Sequence, residues 1–308
     1  MLAIVNTPGG PEPVAIQQVA EPELRPDEAL VAVHAFSLNR GELRLFQVRP
    51  EGWRPGQDIA GVVLRAAADG SGPAAGTRVV ALCDWEGWAE RAAVPVKRMA
   101  PIADTVSFAA AAALPVAGLT ALRSLRHGAP LLGKRVLVTG AAGGVGNLAV
   151  QLAARSGARV TAIVGSAERG RVLDGLGAAE TLTAIEDAQG RFELILEAAG
   201  GASLKAAIER VAHRGTIVVF GNSSGEPTPF TFRDFAEHQN ARIQGFHYFT
   251  SEAEERFAPD LALLAGLVAD GSLRPRIAEH GWRELPRVGP LLRDRRIPGK
   301  AVFHIEQS

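Results

Sequence analysis

The stretch Arg135–Gly146, which reads RVLVTGAAGGVG, decides how this 308-residue chain folds. Three consecutive apolar residues, Val136–Val138, lie at the centre of its first five positions, which is typical of a strand covered on both faces. Glycine and alanine follow, and a helix is predicted from Val145 to Ser156. A pyrophosphate can reach the N–H groups at such a helix N-terminus only where side chains are small. The pattern favours dinucleotide binding, with a tight strand-to-helix turn that holds no ligand as the alternative. The candidate contacts are Ala142, Gly143, Gly144, Val145 and Gly146.

Further strands and helices alternate after this turn. The next apolar runs are Arg159–Val164, which precedes a helix ending by Leu176, then Glu193–Ala198 and Thr216–Phe220. Alternation of buried strands with helices predicts a doubly wound parallel sheet of the Rossmann type.

The residues before the glycine-rich turn do not show this alternation of strands and helices. Short strands separated by Gly and Pro predict a β-rich domain with few helices. Ser107 is a candidate N-cap for an alanine-rich helix that Pro115 must end or kink. The predicted strands are Ala29–Ala35, Ile59–Arg65, Thr77–Leu82 and Trp88–Val94.

The C-terminal part starts with a helix predicted from about Glu252 to Gly271. Two more strands are predicted at Arg274–Ala278 and Ala301–Ile305, and they are candidates to rejoin the first domain.

Composition excludes several classes of function. Thirty-three basic residues balance 33 acidic ones, so the chain lacks the charge of a nucleic-acid or membrane-surface binder. Cys83 is the only cysteine, which excludes an internal disulfide. The first residues lack the pattern of a signal peptide, so none is expected, and no run reaches roughly 20 apolar residues. We therefore expect a cytoplasmic protein that acts on a small molecule, without nucleic-acid or membrane partners.

The end of the second predicted strand indicates the cofactor. NAD-selective sites place Asp or Glu there, but this chain has Gly165. The space suits a 2′-phosphate. Ser166 can donate a hydrogen bond to it, and the guanidinium of Arg169 can make paired, charge-assisted hydrogen bonds. Glu168 complicates this interpretation, and Ser166 capping the next helix is the alternative. NADPH is the expected cofactor.

Several stretches of the chain, taken in order, resemble the quinone oxidoreductases of the medium-chain dehydrogenase/reductase superfamily. The fingerprint is Ala141–Gly146 with Leu152-Ala153 and Gly157-Ala158. Ser37–Glu42 resembles a loop that bears a family asparagine. The other matching stretches are Gly56–Gly61, Leu114–Ala121 and Gly299–Val302.

The resemblance implies an α/β protein with two domains. A GroES-like catalytic domain would comprise residues 1–115 and 254–308, around a Rossmann NADP-binding domain of residues 116–253. The active site would lie in the cleft between them. A homodimer joined through the edges of the Rossmann sheets is expected.

The resemblance also bears on metal binding. Gln57 stands where zinc-dependent relatives have histidine, and the region Ser37–Gly41 has no thiol. The histidines are scattered without ligand spacing. Cys83 is expected to be a buried hydrophobe, and no metal site is expected.

Roles for individual residues follow from the resemblance. Asn39 would hydrogen-bond substrate or cofactor near the reacting centre, and Thr120 would bind the nicotinamide amide. Asn222 and Ser223, at the end of a strand, would contact the cofactor. Tyr248 is a candidate acid or pocket residue. Trp53 and Trp85 are candidates for the acceptor pocket. For every residue named here, an ordinary structural role is the alternative.

These inferences predict a zinc-independent NADPH-dependent enzyme. Without a Lewis acid, hydride transfer to a quinone or an α,β-unsaturated carbonyl is easier than alcohol oxidation. An enoyl-thioester reductase and a non-catalytic NADPH-binding redox sensor remain alternatives.

Overall fold

The computed structural model describes residues 1–249 and 257–306. The chain forms two compact units. The first comprises Met1–Leu119 and Phe249–Ser308, and the second comprises Thr120–Tyr248. The expected boundaries at residues 115/116 and 253/254 stay a proposal, and the second falls among residues 250–256, outside the described ranges.

The secondary structure alternates between strands and helices after residue 134. The strands are β1 Leu2–Asn6, β2 Val14–Gln18, β3 Glu28–Leu38, β4 Asp58–Arg65, β5 Arg78–Leu82, β6 Arg91–Pro95, β7 Met99–Pro101, β8 Arg135–Val138, β9 Arg159–Ile163, β10 Glu180–Leu182, β11 Phe192–Glu197, β12 Val211–Val219, β13 Arg242–Gly245, β14 Ile277–Gly281 and β15 Lys300–His304. The α-helices are α1 Arg40–Val48, α2 Phe108–Ala112, α3 Pro115–Arg126, α4 Gly144–Arg155, α5 Ala167–Gly170, α6 Gly201–Arg210, α7 Phe257–Ala269 and α8 Leu285–Arg293.

The first unit is built on a largely antiparallel sheet. Its strand order is β14-β15-β3-β4-β5-β7, with β6 also paired to β3, while β1 and β2 form a separate hairpin. Strand β15 pairs antiparallel with β3, with Ala301 opposite Leu38. The core contains Phe36 stacked on Trp88 and Phe303, at centroid distances of 5.0 and 5.2 Å. Strands β3, β5 and β15 are buried at nearly every position, so the centre of this sheet is covered on both faces.

The second unit has a six-stranded parallel sheet. Its order is β10-β9-β8-β11-β12-β13, which is the 3-2-1-4-5-6 order of the doubly wound Rossmann fold. The α/β prediction is therefore confirmed. The order reverses between β8 and β11, and ligands of such sheets bind beyond the carboxyl ends of strands at that point.

Helix α1 corrects the sequence analysis, which expected a loop at this position. Asn39 precedes the helix, and its backbone N–H donates to the carboxylate of Glu42 at 2.8 Å. Arg40 and Arg44 therefore lie on a helix. The cap and the burial of an apolar face that includes Leu43 and Phe46 both stabilise this helix.

Other boundaries differ by a few residues. Ser107 caps α2 as predicted, by accepting from the N–H of Ala110, and α3 begins at Pro115. Strand β12 begins at Val211 rather than Thr216, and β14 covers Ile277–Gly281 rather than Arg274–Ala278. The start predicted for α7, residues 252–256, lies outside the described residues.

Membrane-spanning segments were searched for among the described residues. Within them, every helix falls short of the length or the apolar character needed to cross a bilayer.

Candidate functional site

The glycine-rich turn joins β8 to α4 with very little space around its backbone. A Cβ on Gly146 would lie 2.4 Å from the carbonyl oxygen of Gly140 and 2.6 Å from the Cα of Ala141. Gly140 itself has φ +58°, which favours glycine. The first turn of α4 therefore packs directly against the backbone of the turn that follows β8.

The turn also leaves amides without helical acceptors. The first N–H of α4 with an i−4 partner is that of Asn147, which donates to Gly143 O at 3.1 Å. The N–H groups of Gly144, Val145 and Gly146 precede it and cannot have such a partner. Together with the helix dipole, these groups favour an anion at the start of α4.

The end of β9 brings Gly165, Ser166 and Arg169 together. The guanidinium of Arg169 lies 4.0 Å from where a Cβ on Gly165 would be. Ser166 Oγ accepts from the N–H of Arg169 at 3.3 Å, so this serine caps α5 and its hydroxyl hydrogen still points elsewhere. The capping alternative is thus compatible with phosphate donation. Glu168 is exposed.

A buried carboxylate at the end of β11 was missed by the sequence analysis. Glu197 is fully buried and accepts from the N–H groups of Ala199 and Gly200 and from the hydroxyls of Thr139 and Ser203, at 2.6–3.1 Å. Because every acceptor site has a donor, the network fixes the ends of β8 and β11 against each other. The only sequence signal was an acidic residue closing the apolar run ELILE.

The loop after β12 packs on the loop after β11. Ser223 donates its N–H to Ala198 O at 3.1 Å. A Cβ on Gly200 would lie 2.1 Å from Asn222 Oδ1, so the amide of Asn222 occupies the space that glycine leaves. Asn222 and Ser223 therefore share the carboxyl edge of the sheet with the glycine-rich turn and with Ser166.

Thr120 and Tyr248 are buried candidates of the second unit. Thr120 lies in α3 and Tyr248 follows β13, and both are buried. The backbone carbonyl of Tyr248 accepts from the guanidinium of Arg123 at 2.8 Å. This contact anchors the segment after β13 to α3.

Asn39, the catalytic candidate of the first unit, sits in a dense polar cluster. Its Nδ2 donates to Asp58 Oδ2 at 2.9 Å and to Glu42 Oε2 at 3.2 Å, and its Oδ1 accepts from Lys300 Nζ. Asp58 also accepts from Ser37 Oγ and Lys300 Nζ, both at 2.9 Å. The sequence analysis had placed Asp58 and Lys300 in matching stretches without assigning them a role.

Glu42 is the unusual titratable group of this cluster. Burial, reinforced by the neighbouring charge of Asp58, raises the pKa of Glu42 to about 8. Its Oε1 is buried and has no hydrogen-bond partner within the described structure. Glu42 is therefore largely a neutral carboxylic acid at pH 7.

The two tryptophans suggested for an acceptor pocket contact each other. Trp53 and Trp85 meet edge to face at a centroid distance of 5.1 Å, and Arg49 lies over both rings at 5.5 and 5.9 Å. Both rings are half-buried. They form a small aromatic surface of the first unit.

Potential metal ligands, including Cys83, were compared across residues 1–249 and 257–306. In these ranges no group of three His, Cys, Asp or Glu residues could hold an ion. Cys83 is buried as expected, and burial raises the pKa of its thiol, so it packs as a small hydrophobe.

Two protein families match successive parts of the chain. Residues 25–104 match the alcohol dehydrogenase GroES-like domain, and residues 144–266 match the zinc-binding dehydrogenase family.

Two curated relatives carry quinone oxidoreductase names. Quinone oxidoreductase from Pongo abelii is 30% identical over 288 residues, which is 87% of this chain and 86% of that protein. Quinone oxidoreductase-like protein 2 from Bos taurus is 30% identical over 69% of this chain. The chain spans 66% of the bovine protein, just under two thirds of its length.

A solved structure shares the fold. Escherichia coli quinone oxidoreductase complexed with NADPH superposes with a TM-score of 0.87 over 99% of this chain and 100% of that one, at 21% identity.

The first prediction concerns the close approach at Gly146. Gly146→Ala should lower the free energy of unfolding by about 1–3 kcal/mol, because its Cβ meets backbone atoms that cannot move aside. Gly266→Ala in α7 is the matched control, since nothing lies within 4 Å of its Cβ position. The control should gain about 0.5–1 kcal/mol from the helix preference of alanine. Urea unfolding measures both, and an unchanged Gly146→Ala protein would contradict the packing argument.

The second prediction uses the raised pKa of Glu42. The folded state keeps this proton up to about pH 8, whereas the unfolded chain releases it near its ordinary value. The folded state therefore binds more protons in this range, and Glu42 lowers stability as the pH rises from about 5 to 8. Glu42→Gln keeps the neutral shape and should become more stable than the unmodified protein by a margin that grows across this range.

Paired unfolding titrations at several pH values check this prediction. Glu279→Gln, a half-exposed carboxylate of the same unit, is the control. A constant difference between the Glu42→Gln and unmodified proteins from pH 5 to 8 would show that Glu42 is ionised in the folded state.

Proposed function

This chain belongs to the quinone oxidoreductase-like members of the medium-chain dehydrogenase/reductase superfamily, and we propose that it is a zinc-independent, NADPH-dependent enzyme that transfers hydride to a quinone or an α,β-unsaturated carbonyl. The observation that carries the proposal is the anion cradle at the start of α4, with Arg169 beside the open position of Gly165.

The cradle fits a dinucleotide. The absent side chains of Gly143, Gly144 and Gly146 give a pyrophosphate access to three N–H groups at the positive end of a twelve-residue helix. Ala142 is buried and Val145 is half-buried, so the turn is preformed by packing. The E. coli structure of the same fold is described as complexed with NADPH, which supports the choice of ligand.

Selection of NADPH over NADH is assigned to Arg169 and Ser166. A guanidinium binds a phosphate dianion through paired, charge-assisted hydrogen bonds. Gly165 leaves room there, whereas an acidic side chain at that position would repel the 2′-phosphate.

The remaining residues orient the reactants. When bound, NADPH supplies the hydride. Asn222 and Ser223 lie beyond the carboxyl end of β12, where they would contact the cofactor, and Thr120 would bind its carboxamide. Asn39 would hold a ligand near the reacting centre, and Tyr248 is kept as a pocket residue. Orientation and exclusion of water are what hydride transfer requires of a protein.

Zinc independence is supported by the donor set. Gln57 stands where zinc-dependent relatives have histidine, and the described residues offer no cluster of three ligands. An electrophilic acceptor suits this chemistry, because conjugation disperses the incoming charge without a Lewis acid.

A homodimer through strand β13 is part of the proposal. This strand is last in the sheet order, and all four of its residues are exposed. An unpaired edge of this kind can add the same strand of a second copy. We also propose a cytoplasmic location, in keeping with a single buried thiol.

The third prediction tests the reaction. The purified protein should oxidise NADPH in the presence of 1,4-benzoquinone, above the uncatalysed rate and equally well with a chelator, because no metal takes part. Loss of nicotinamide absorbance measures the rate. NADPH binding without turnover of quinones, enones or enoyl thioesters would favour a redox sensor, and turnover of enoyl thioesters alone would identify a thioester reductase.

The fourth prediction tests cofactor selection. Arg169→Ala should lower the preference for NADPH over NADH roughly ten- to a hundredfold, the value of a hydrogen bond to a charged group. Arg171→Ala, two residues away and exposed, is the matched control and should keep the preference. The ratio of kcat/KM for the two cofactors is the measurement. An unchanged ratio in Arg169→Ala would move phosphate recognition to another residue.

The fifth prediction tests the assembly. Ile243→Lys places a charge in the middle of β13 and should convert a dimer into a monomer, because charges on edge strands oppose pairing. Light scattering after size exclusion gives the mass. Leu263→Lys, a similarly exposed leucine in α7, is the control. A dimer that survives in the Ile243→Lys protein would show that its interface lies elsewhere.

A further inference from the structure

The cluster around Asn39 buries three ionisable side chains within the first unit. Asp58 is 0%, Glu42 1% and Lys300 5% exposed. Such burial is costly unless every charge is paired and hydrogen-bonded, so the positions of these groups are tightly constrained. Asn39 is the member that remains partly exposed. What the cluster can offer a ligand therefore depends on which hydrogen-bonding groups of Asn39 are uncommitted.

Lys300 has no donor left for a ligand. Its ammonium group carries three N–H bonds. Their acceptors are Asp58 Oδ2 at 2.9 Å, Leu38 O at 3.3 Å and Asn39 Oδ1. All three bonds point into the protein, so Lys300 is neither a proton donor nor an anion ligand in this arrangement.

The Nδ2 group of Asn39 is also fully committed. Its two N–H bonds go to Asp58 Oδ2 and Glu42 Oε2. Its Oδ1 accepts from Lys300 and keeps a second lone pair. The reverse orientation of the amide would place its NH₂ against an ammonium group and its oxygen against Asp58. The network therefore decides an orientation that electron density usually leaves open.

Asp58 holds the arrangement from the other side. Its Oδ2 accepts from Ser37 Oγ and Lys300 Nζ as well as from Asn39, and its Oδ1 accepts from the N–H of Val116 at 2.8 Å. Because Oδ2 accepts three hydrogen bonds and Oδ1 accepts one from another segment, rotation of the carboxylate to release the amide of Asn39 would break several of these bonds.

We infer that Lys300, paired with Asp58, is a positioning residue that fixes the carboxamide of Asn39 so that Asn39 presents only an accepting oxygen to a bound ligand. The inference rests on the proposed function and narrows it. A quinone or enone carbonyl only accepts hydrogen bonds, so it finds no partner on Asn39. NADPH carries ribose hydroxyls and a carboxamide NH₂, which donate. Asn39 therefore serves the cofactor and not the carbonyl acceptor.

The orientation can be observed directly by NMR of the full chain. Selective ¹⁵N labelling of asparagine gives five side-chain NH₂ groups, because the sequence contains five asparagines. The pair that disappears in Asn39→Ser identifies Asn39. In the unmodified protein both of its protons should exchange slowly with water, and they should stay protected when NADPH is added, because the bonds to Asp58 and Glu42 persist.

The decisive variant is the double substitution Lys300→Met with Asp58→Asn. Lys300→Met alone leaves a buried carboxylate without its cation and should lower the melting temperature strongly. The double variant removes both charges, so it should recover most of that stability. It also removes the cation that requires an oxygen on one side of Asn39 and the carboxylate that requires a nitrogen on the other.

The double variant should therefore separate folding from positioning. Exchange of the Asn39 amide protons should become about tenfold faster, and the Kd for NADPH should rise about tenfold, the loss of one hydrogen bond. The KM for 1,4-benzoquinone should stay within roughly twofold, since the acceptor makes no bond to Asn39. Lys97→Met, an exposed lysine of the same unit, is the matched control and should change none of these values.

Each contrary result has a distinct meaning. A double variant that folds, binds NADPH as tightly as the unmodified protein and keeps its Asn39 protons protected overturns the inference while the proposed function stands. A rise in the KM for quinone with unchanged NADPH affinity also overturns it, by assigning Asn39 to the acceptor. Failure of the unmodified protein to bind NADPH overturns the proposed function and the inference's choice of ligand, while the NMR result still decides the orientation of Asn39.

Discussion

The carboxylate of Asp58 is the interaction on which the first unit most depends. It accepts four hydrogen bonds from three separate segments of the chain, through Ser37 and Asn39, Val116 and Lys300. Through them it joins β3, the cap of α1, the first turn of α3 and the C-terminal strand β15. A buried ion pair contributes little net stability compared with apolar packing, but it tolerates very few arrangements. Its value here is that it specifies one geometry for the segment around Asn39.

In the second unit, a glycine and one buried carboxylate fix the geometry of the segments around the glycine-rich turn. Gly146 lets α4 touch the end of β8, and Glu197 ties the loop after β11 to Thr139. Both features lie where the strand order reverses, which is where a doubly wound sheet opens a crevice for a ligand. Backbone N–H groups directed at an anion need rigid placement, because reorganising them would offset part of the stabilisation that they give the anion. Tight packing supplies that rigidity before any ligand arrives.

The sequence predicted the elements whose signal is local. Consecutive apolar residues located β8, β9 and β11 to within one residue, and Ser107 located the start of α2. Helix α1 was missed although Asn39 and Glu42 have the spacing of a capping box, because this segment was interpreted as a loop from the family resemblance. Helix α8 contains Gly289 and Pro290, which argue against a helix, but its apolar face packs into the core of the first unit. In α8 these packing contacts outweigh the low helix preference of glycine and proline.

The candidate site also has features that local sequence predicts and features that only the folded chain creates. The glycine-rich turn, Gly165 and Arg169 are close in sequence, so their chemistry could be inferred from order alone. The partnership of Lys300 with Asp58 spans 242 residues, and neither residue type indicates burial on its own. Hydrogen-bond capacity is likewise a property of the folded site. From sequence, Asn39 could equally donate to a substrate or accept from a cofactor, and only its surroundings distinguish the two.

That distinction bears on the choice of acceptor. An enzyme that stabilises a developing oxyanion needs N–H or metal groups aimed at it. In the cluster around Asn39 the donors of both Asn39 and Lys300 are turned inward, and Glu42 is held as a buried neutral acid. This cluster can therefore orient a ligand but gives no stabilisation to a new negative charge. An acceptor whose reduction is favourable by itself suits such a site, because hydride transfer to a quinone yields an aromatic product. Any further stabilisation of the oxyanion must therefore come from groups outside this cluster, and a quinone needs less of it than an acceptor whose reduction gives no aromatic product.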